Sequence, residues 1–591
     1  MPTETKACQN CKTDFIIEPE DFDFYKTMQV PAPTFCPQCR MVRRMVWRND
    51  MQLYRKKDDR TGKVIFSAFS DDSPVKVWDV ADWNSDIWDA TEYAREYDWN
   101  RPFFEQLQEL YLDVPKPSRN MVNAVRSDYS NNSNNVEDCY LVFAAVESRS
   151  LAYTFGVSFS SDSYDVSHGE HLELCYEDSN CTRSFKTYYS NKCQNARDSY
   201  FCDDCVEISN CIGCVGLRKK QYCIFNKQYS KEEYFEKLKE FDLGSRKAVQ
   251  RLKEECEKFI LAFPRRFADT VRAQNSSGEY LHNTEDVTDS FNIISGEHLR
   301  YCQDLHVPGS KDCYDMFRWG QNAELIYESA MCGGDISRLK FSYHVFPSCH
   351  SIQYGMDCRS SSDLFGCVGL KKKQYCILNK QYTKEEYEEM IPKITQHMND
   401  MPYVDKRGNT FSYGEFFPSE FSPYAYNETT AQTYFPLTKD EAIAKGYRWK
   451  DPDQRSHAVT IQTEDLPDHI SDVDDGIISE VIECAHKQEC NDGCTCAFRI
   501  VPAELRFYKE AGIPLPSLCP QCRHAGRAAK RNKPVYYQRR CMCEGKTGGS
   551  YANTVSHAHG DEPCSVAFQT SYSPDRPEIV YCEKCYQSEV L

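Results

Sequence analysis

The sequence predicts a mainly β, multidomain protein in which zinc ribbons at both ends flank a duplicated β-solenoid with short capping helices. Three observations carry that prediction. Paired cysteines at knuckle spacing stand near both ends, as Cys8-x-x-Cys11 with Cys36-Pro37-Gln38-Cys39 and again as Cys519-Pro520-Gln521-Cys522. Between residues 120 and 383 hydrophobic residues return about every 12 positions, the mark of a stacked repeat. A signature running from Cys214 to Tyr234 returns as Cys367 to Tyr387 with three substitutions.

At 591 residues the chain is too long for one compact domain. The expected organisation is an N-terminal zinc ribbon with a basic arm (1–65), a connector (66–119), a first solenoid half (120–229) and a helical segment (230–277). A second solenoid half (278–383), a helix (384–400), an aromatic-rich connector (401–462), an acidic linker (463–483) and a double zinc ribbon (484–591) follow. The opening residues, Met1-Pro2-Thr3-Glu4-Thr5, have neither the basic nor the apolar region of a secretion signal. No run of about 18 apolar residues suits a membrane span. A cytoplasmic protein is expected, so its 32 cysteines are read as thiols and metal ligands rather than disulfides. The net charge of −18 repels nucleic acid on average, so binding it would require local basic patches.

In the N-terminal module Cys8, Cys11, Cys36 and Cys39 fit a tetrahedral, all-cysteine zinc site. Each pair forms a tight knuckle, and the metal joins two knuckles that have too little core to fold alone. Adding 483 to each number carries Phe24-Tyr25-Lys26 onto Phe507-Tyr508-Lys509, and Cys36 to Arg40 onto Cys519 to Arg523, without a gap. The two ends are therefore an internal duplication. Cys11 falls on Cys494, but Cys8 falls on Asn491. The C-terminal ligands are then Cys484 or Cys490, with Cys494, Cys519 and Cys522; Cys496 is a further candidate. A second C-terminal site is predicted at Cys582-Glu583-Lys584-Cys585, with partners from Cys541, Cys543 and Cys564. His557 and His559, in the intervening loop, could supply an imidazole or stay solvated. About three structural zinc ions are expected, each closed by four protein ligands.

A basic arm follows each Cys-Pro-Gln-Cys knuckle. The first holds Arg40, Arg43, Arg44, Arg48, Arg55, Lys56, Lys57, Arg60 and Lys63 against Asp50, Asp58 and Asp59. The second holds Arg523, Arg527, Lys530, Arg531, Lys533, Arg539 and Arg540 with no acid. Trp47, Tyr54, Tyr536 and Tyr537 are interleaved, and cations with aromatics suit single-stranded nucleic acid. The competing reading is that the arginines offset the zinc thiolates or dock on the chain's own acidic surface, such as Asp465 to Glu483.

In the repeat, short β-favouring runs such as Cys139 to Phe143 and Tyr222 to Phe225 alternate with Asn, Asp, Ser and Gly, as stacked strands joined by turns would. Cys181, Cys202 and Cys223 are 21 apart, and Cys349, Cys358, Cys367 and Cys376 are 9 apart. Small apolar thiols suit the inside of such a stack; pairs such as Cys202 with Cys205 would alternatively bind metal. Each signature leads into a helix with a capping box, Ser230 with Glu233 and Thr383 with Glu386, which would cover the open end of the stack. Thr438 with Glu441 opens a short helix stopped by Gly446.

No nucleotide-binding, metalloprotease or serine-hydrolase motif is present. Glu170-His171 recurs as Glu297-His298, and such a pair on a solenoid face could do acid–base work or simply be a repeated turn. The stretch Phe22 to Arg40, the two Cys214 and Cys367 signatures and Ser573 to Cys582 resemble an uncharacterised multi-zinc-ribbon family of small-genome bacteria. Some members carry a CoA-transferase-type (CaiB/BaiF) label. That label implies an α/β enzyme with an aspartate nucleophile, and neither pattern is present in this sequence. The expected function is a non-catalytic zinc scaffold contacting nucleic acid or a ribonucleoprotein through Arg40, Arg43, Arg44, Trp47, Arg48, Arg523, Arg527, Lys530 and Arg531. The alternatives are a protein-interaction scaffold using the tyrosine-rich solenoid face and, third, a solenoid-borne enzyme.

Overall fold

The computed structural model describes residues 2–170, 172–451, 458–490, 493–546 and 551–590; His171 and Asn491 lie outside the described residues. Strands dominate the chain, which divides into two compact units built from non-consecutive segments. The first comprises Met1–Arg119, Ala268–Lys450 and Lys533–Tyr536; the second comprises Asn120–Phe267, Asp451–Asn532 and Tyr537–Leu591. Each unit thus combines one terminal cysteine module with one half of the repeat.

In the second unit the repeat pairs in parallel with a step of 12: Met121 with Ser133, Asn134 with Val146, Phe185 with Arg197, Ser209 with Gln221. Single bridges such as Tyr164 with Tyr176 and Gln194 with Val206 continue the same step between these strands. A finer period lies inside it. Asn135, Asp138, Leu141, Ala144, Glu147 and Ser150, every third residue, all have φ between 49° and 54°. The residue after each such corner is buried, as Val136, Cys139, Val142, Ala145 and Leu151 are, and later Cys202, Cys205, Ile208, Cys211 and Cys214.

This arrangement differs from the expected strands of three to five residues joined by turns. A corner at every third residue leaves room inside only for short side chains, hence the cysteines, serines, alanines and valines. Left-handed backbone costs a non-glycine residue about 1–2 kcal/mol. Asn and Asp bear it best, and the inter-segment hydrogen bonds, such as Asp138 N–H to Val125 O and Ser150 N–H to Glu137 O, hold the rest in place. The cysteine spacings of 21 and 9 are multiples of this step of three. The thiols act as core: Cys202 Sγ donates to Tyr200 O at 3.5 Å and Cys205 Sγ to Cys214 O at 3.6 Å. Among the described residues, no cysteine between 139 and 376 belongs to a metal-ligand group.

The repeat of the first unit is less regular. Its parallel step is 12 from Gly278 to Ser290, 14 from Gly296 to Ser310, 13 from Ser310 to Ala323 and 12 again from Ser362 to Gln374. Both repeats end alike. Strand Gln221–Ile224 turns back onto Lys227–Gln228, and Gln374–Ile377 onto Lys380–Gln381. The capping boxes then start helices Lys231–Leu238 and Lys384–Asp400, whose Tyr234 and Tyr387 pack tilted against Tyr222 and Tyr375. The third box also forms, opening helix Lys439–Ala444.

Two segments expected to be connectors are core. Within 66–119, Trp83, Trp88, Phe103 and Phe104 are buried, and Phe103 packs on Tyr354 and Phe365. Residues 463–483 are a series of 3-10 turns that bury Leu466, Ile470, Val473 and Ile477. Four apolar residues among many acids do not show a helical or strand period, so the charge hides them in sequence.

Asp178 occupies one of the inward positions of the second unit and is fully buried, accepting from Thr187 Oγ1 and from Ser190 N–H. Burial raises its pKa from the ordinary carboxylate value to about 7. The folded state therefore holds a proton that the unfolded chain has already lost, and stability falls as pH rises from the ordinary carboxylate value towards 7. The thermal midpoint of the second unit should drop between about pH 4 and pH 8, and Asp178→Asn should flatten that dependence. An unchanged slope in the variant would remove Asp178 as its source.

Candidate metal centres

Two local devices build each cysteine module. Strands Glu4–Ala7 and Asp14–Ile17 pair antiparallel with Ala7 opposite Asp14, so the hairpin end carries Cys8 and Cys11. Lys12, at φ 64°, turns the chain back and donates its N–H to Cys8 O at 2.9 Å. The second knuckle is a helix start. Cys36 is the N-cap of helix Pro37–Met45, Pro37 is its first residue and Cys39 lies in its first turn. The positive end of the helix dipole thereby faces sulfur. Helix Pro520–Ala529 presents Cys519 and Cys522 in the same way, and Cys582 precedes helix Glu583–Val590, which carries Cys585 in its first turn.

Three sets of four sulfurs result: Cys8, Cys11, Cys36 and Cys39; Cys484, Cys494, Cys519 and Cys522; Cys541, Cys564, Cys582 and Cys585. Within each set the atoms lie within 4.8 Å of one another. Separations of 3.7 Å for Cys11–Cys36, 3.9 Å for Cys484–Cys522 and 4.0 Å for Cys564–Cys582 match the edge of about 3.8 Å of a tetrahedron with metal–sulfur bonds of about 2.3 Å. In every set one backbone N–H reaches across to a sulfur: Cys36 to Cys8 at 3.2 Å, Cys519 to Cys484 at 3.2 Å, Cys582 to Cys541 at 3.1 Å. Such donors favour the thiolate that a metal requires. Contact with Cys36 and Cys39 pulls the Cys8 thiol far below its ordinary pKa, and Cys484, Cys494 and Cys522 do the same to Cys519. Each set could hold a metal ion.

The sulfurs group as follows. Cys484 completes the second set. Cys490 lies 3.7 Å from Cys522 in a smaller group with His486, and Cys496 stands outside, donating its N–H to Cys494 Sγ. In the third, Cys541 and Cys564 join Cys582 and Cys585, while Cys543 does not.

The helix that begins at each Cys-Pro-Gln-Cys knuckle and the helix before it, Pro19–Met28 or Pro502–Ala511, fasten the module to the repeat of the same unit. Phe24 stacks on Tyr314 at 3.8 Å, and Phe507 on Tyr164 at 4.4 Å. Arg40 Nε donates to Asp315 Oδ2 at 2.9 Å, and Arg523 Nε to Asp165 Oδ1 at 2.9 Å. The same guanidiniums donate to Phe35 O and Leu518 O just before the knuckle. Arg44 reaches Asp315 at 3.0 Å and Arg527 reaches Asp165 at 3.1 Å. A Tyr-Asp dipeptide on each repeat thus receives a Phe and two Arg from its module. Burial opposes the charge on Arg40, but Asp315, Tyr25 and Tyr327 together outweigh it and hold the pKa well above the ordinary value.

The arm residues put forward for nucleic-acid contact are mostly enclosed within the chain. Eight of the nine residues put forward for it, all except Lys530, are buried. Arg43 pairs with Glu328 at 2.7 Å and Glu415 at 2.8 Å, Arg48 with Asp50, and Arg531 lies against His168. Trp47 is fully enclosed by Tyr111, Tyr343 and Phe417. Lys530 is exposed, 3.6 Å from Glu257. Apart from Asp50, the carboxylates that receive the arginines stand far away in sequence and carry no motif. One signal does point to internal pairing: Asp21 and Glu504, 483 apart like the arginines, are buried acids at matching helix positions, paired with Arg300 and Arg523.

The repeated Glu-His pair gives no assembled constellation among the described residues. Glu297 is 3.7 Å from Lys311, and His298 lies between Asp286 and Asp312 on an exposed ladder. No helix among the described residues is long and apolar enough to cross a membrane. No protein-family model matches the chain, and no curated protein matches it.

Arg40→Met leaves Asp315 and Glu328 buried with less compensation. Breaking a buried pair in this way costs about 3–5 kcal/mol. Denaturant unfolding of the first unit should show that loss, and Asp315→Asn added to Arg40→Met should recover part of it. A loss below about 1 kcal/mol, by the same scale, would show that the pair does not fasten the module.

Proposed function

We propose that the protein is a zinc-stapled, non-catalytic scaffold: two β-solenoid halves, each clasped by its own zinc ribbon. The observation that carries this reading is the pair of buried Arg–Asp clasps, Arg40 with Asp315 and Arg523 with Asp165. They make the metal knuckle and the repeat one body in each unit. Zinc is the ion that four thiolates at tetrahedral spacing favour, and four protein ligands leave no open position for substrate.

In this reading the arginines neutralise buried carboxylates and contribute to stability, not to phosphate binding. Seven of the sixteen arm cations, Arg55, Lys57, Arg60, Lys63, Lys530, Lys533 and Arg540, remain exposed, set against a net charge of −18. A nucleic-acid partner would have to use them.

Zinc measured by elemental analysis of the purified chain should fall by one equivalent in Cys39→Ser and by one in Cys494→Ser. A protein that folds without any zinc would sink the proposal. Labelled single-stranded RNA and DNA should bind weakly or not at all at low salt. Binding that weakens steeply with added salt, and is lost when Arg55, Lys57, Lys530 and Arg540 become Ala, would restore the nucleic-acid reading.

A further inference from the structure

The C-terminal module departs from its N-terminal copy at one hairpin. Strands Tyr54–Lys57 and Val64–Ser67 correspond to Tyr537–Arg540 and Ala567–Thr570, since Tyr54 and Tyr537 are 483 apart and each opens its pairing. In the N-terminal copy residues 58–63 close the hairpin, and the Asp58 carboxylate holds the turn by accepting from the N–H groups of Arg60, Thr61 and Asp79. In the C-terminal copy residues 541–566 stand in that place. Cys541 and Cys564, at the two ends of this insertion, belong to the third set of four cysteines. Between them lie three further residues of ligand type, Cys543, His557 and His559.

These three converge. Cys543 Sγ is 3.2 Å from His557 Nδ1 and 3.2 Å from His559 Nε2, and His559 Nε2 is 3.4 Å from Cys585 Sγ. All four atoms lie within 4.8 Å of one another. Cys543 and His557 are buried.

The far side of each ring fixes which nitrogen turns its lone pair to the sulfurs; for His557 that nitrogen is also 3.2 Å from Asn553 Nδ2. His559 Nδ1 is 2.7 Å from Glu562 O, a carbonyl that can only accept, so Nδ1 carries the proton and Nε2 turns its lone pair to the sulfurs. His557 Nε2 is 3.2 Å from the Glu589 carboxylate, which Thr554 N–H and Tyr551 OH hold in place, so Nδ1 turns its lone pair to Cys543. Imidazoles that bind metal are oriented by partners of this kind. Tyr581 OH donates to Asn553 Oδ1, which leaves the Asn553 amide N–H to donate to Cys543 Sγ at 3.1 Å, as a thiolate would require.

We propose that Cys543, His557, His559 and Cys585 bind a fourth metal ion, a zinc, and that Cys585 bridges it to the ion held by Cys541, Cys564 and Cys582. This rests on the zinc reading of the three all-cysteine sets. A thiolate that joins two divalent ions leaves five thiolates for two metals, a smaller net negative charge than a separate four-thiolate site for each would leave. The second ion staples an insertion that has little apolar residue of its own, the task Asp58 performs for the short N-terminal turn.

The test is metal stoichiometry of the full-length protein by native mass spectrometry, with cobalt(II) substitution as a second readout. Four zinc ions per chain are expected, falling to three in His557→Ala/His559→Ala and in Cys543→Ala, while Cys39→Ser still removes its own ion from each. Cobalt spectra of the histidine variant should lose the contribution of a mixed sulfur–nitrogen site and keep those of the all-sulfur sites. Three ions in the unaltered chain, or four that persist in both variants, would overturn the fourth site and leave the reading of the all-cysteine sites intact. A chain with no bound zinc would overturn both.

Discussion

A guanidinium buried against a carboxylate at a left-handed corner is the contact on which each unit depends. Arg40 on Asp315, and Arg523 on Asp165, are the points where a metal knuckle, a helix start and the repeat meet. Neither partner could be buried alone: a charge removed from water costs several kcal/mol unless paired. Neither could easily be replaced. Asp is among the few side chains that tolerate the corner conformation, with φ 56° at Asp315 and 55° at Asp165. Arg supplies enough donors to hold the carboxylate and the carbonyl before the knuckle together. The cysteine quartet brings the two knuckles together, the arginine ties the knuckles to the repeat, and the aromatic pair beside it removes water from both.

That clasp explains why the repeat is built as it is. A corner at every third residue sends one residue of each triplet inward and places a second on a flat outer face. The inward set, chosen for size, gives the cysteine ladder. The outer set gives the tyrosine stripe, of which Tyr164, Tyr176 and Tyr188 are buried against residues of the C-terminal module. The same geometry thus supplies a narrow core and an aromatic face that other residues cover. The module is that cover, and residues 463–483 extend it.

Much of this was legible in the sequence. The first quartet followed from spacing and three members of the second from the offset of 483, while the choice between Cys484 and Cys490 and among Cys541, Cys543 and Cys564 stayed open; the three capping boxes followed from a hydroxyl with a glutamate three residues on, and these are local signals. The step of 12 was visible because Tyr and Ile repeat at it. The step of three was not, because the inward residue changes identity among Cys, Ser, Ala, Val and Leu, and no hydrophobic period survives that mixture. The arginines' partners were hidden for another reason. Arg40 and Asp315 are 275 residues apart, and a basic run looks the same whether it faces phosphate or a buried aspartate. The offset that aligned Arg40 with Arg523 also aligned Asp21 with Glu504, and paired acids kept at equal places in a duplicated basic module are better explained by internal pairing than by an anionic ligand.

The duplication also raises a problem of partner choice, since the N-terminal module joins the second half of the repeat and the C-terminal module the first. Both halves offer a Tyr-Asp dipeptide, and both modules bring the Phe and Arg that fit it. Arg43 breaks the tie. Its counterpart 483 residues on is Gly526, and its carboxylates, Glu328 and Glu415, both belong to the first unit. The residue that follows the next tyrosine of the other repeat, Glu177, is instead engaged at 4.0 Å by Lys253. A C-terminal module placed on the second half would leave Glu328 and Glu415 without Arg43, and an N-terminal module on the first half would bury Arg43 without them. The cost of an unpaired buried charge, several kcal/mol, exceeds what two equivalent Tyr-Asp clasps could distinguish, so Arg43, with the Asp21–Arg300 pair that is likewise not repeated at Glu504, separates two interfaces built on the same clasp.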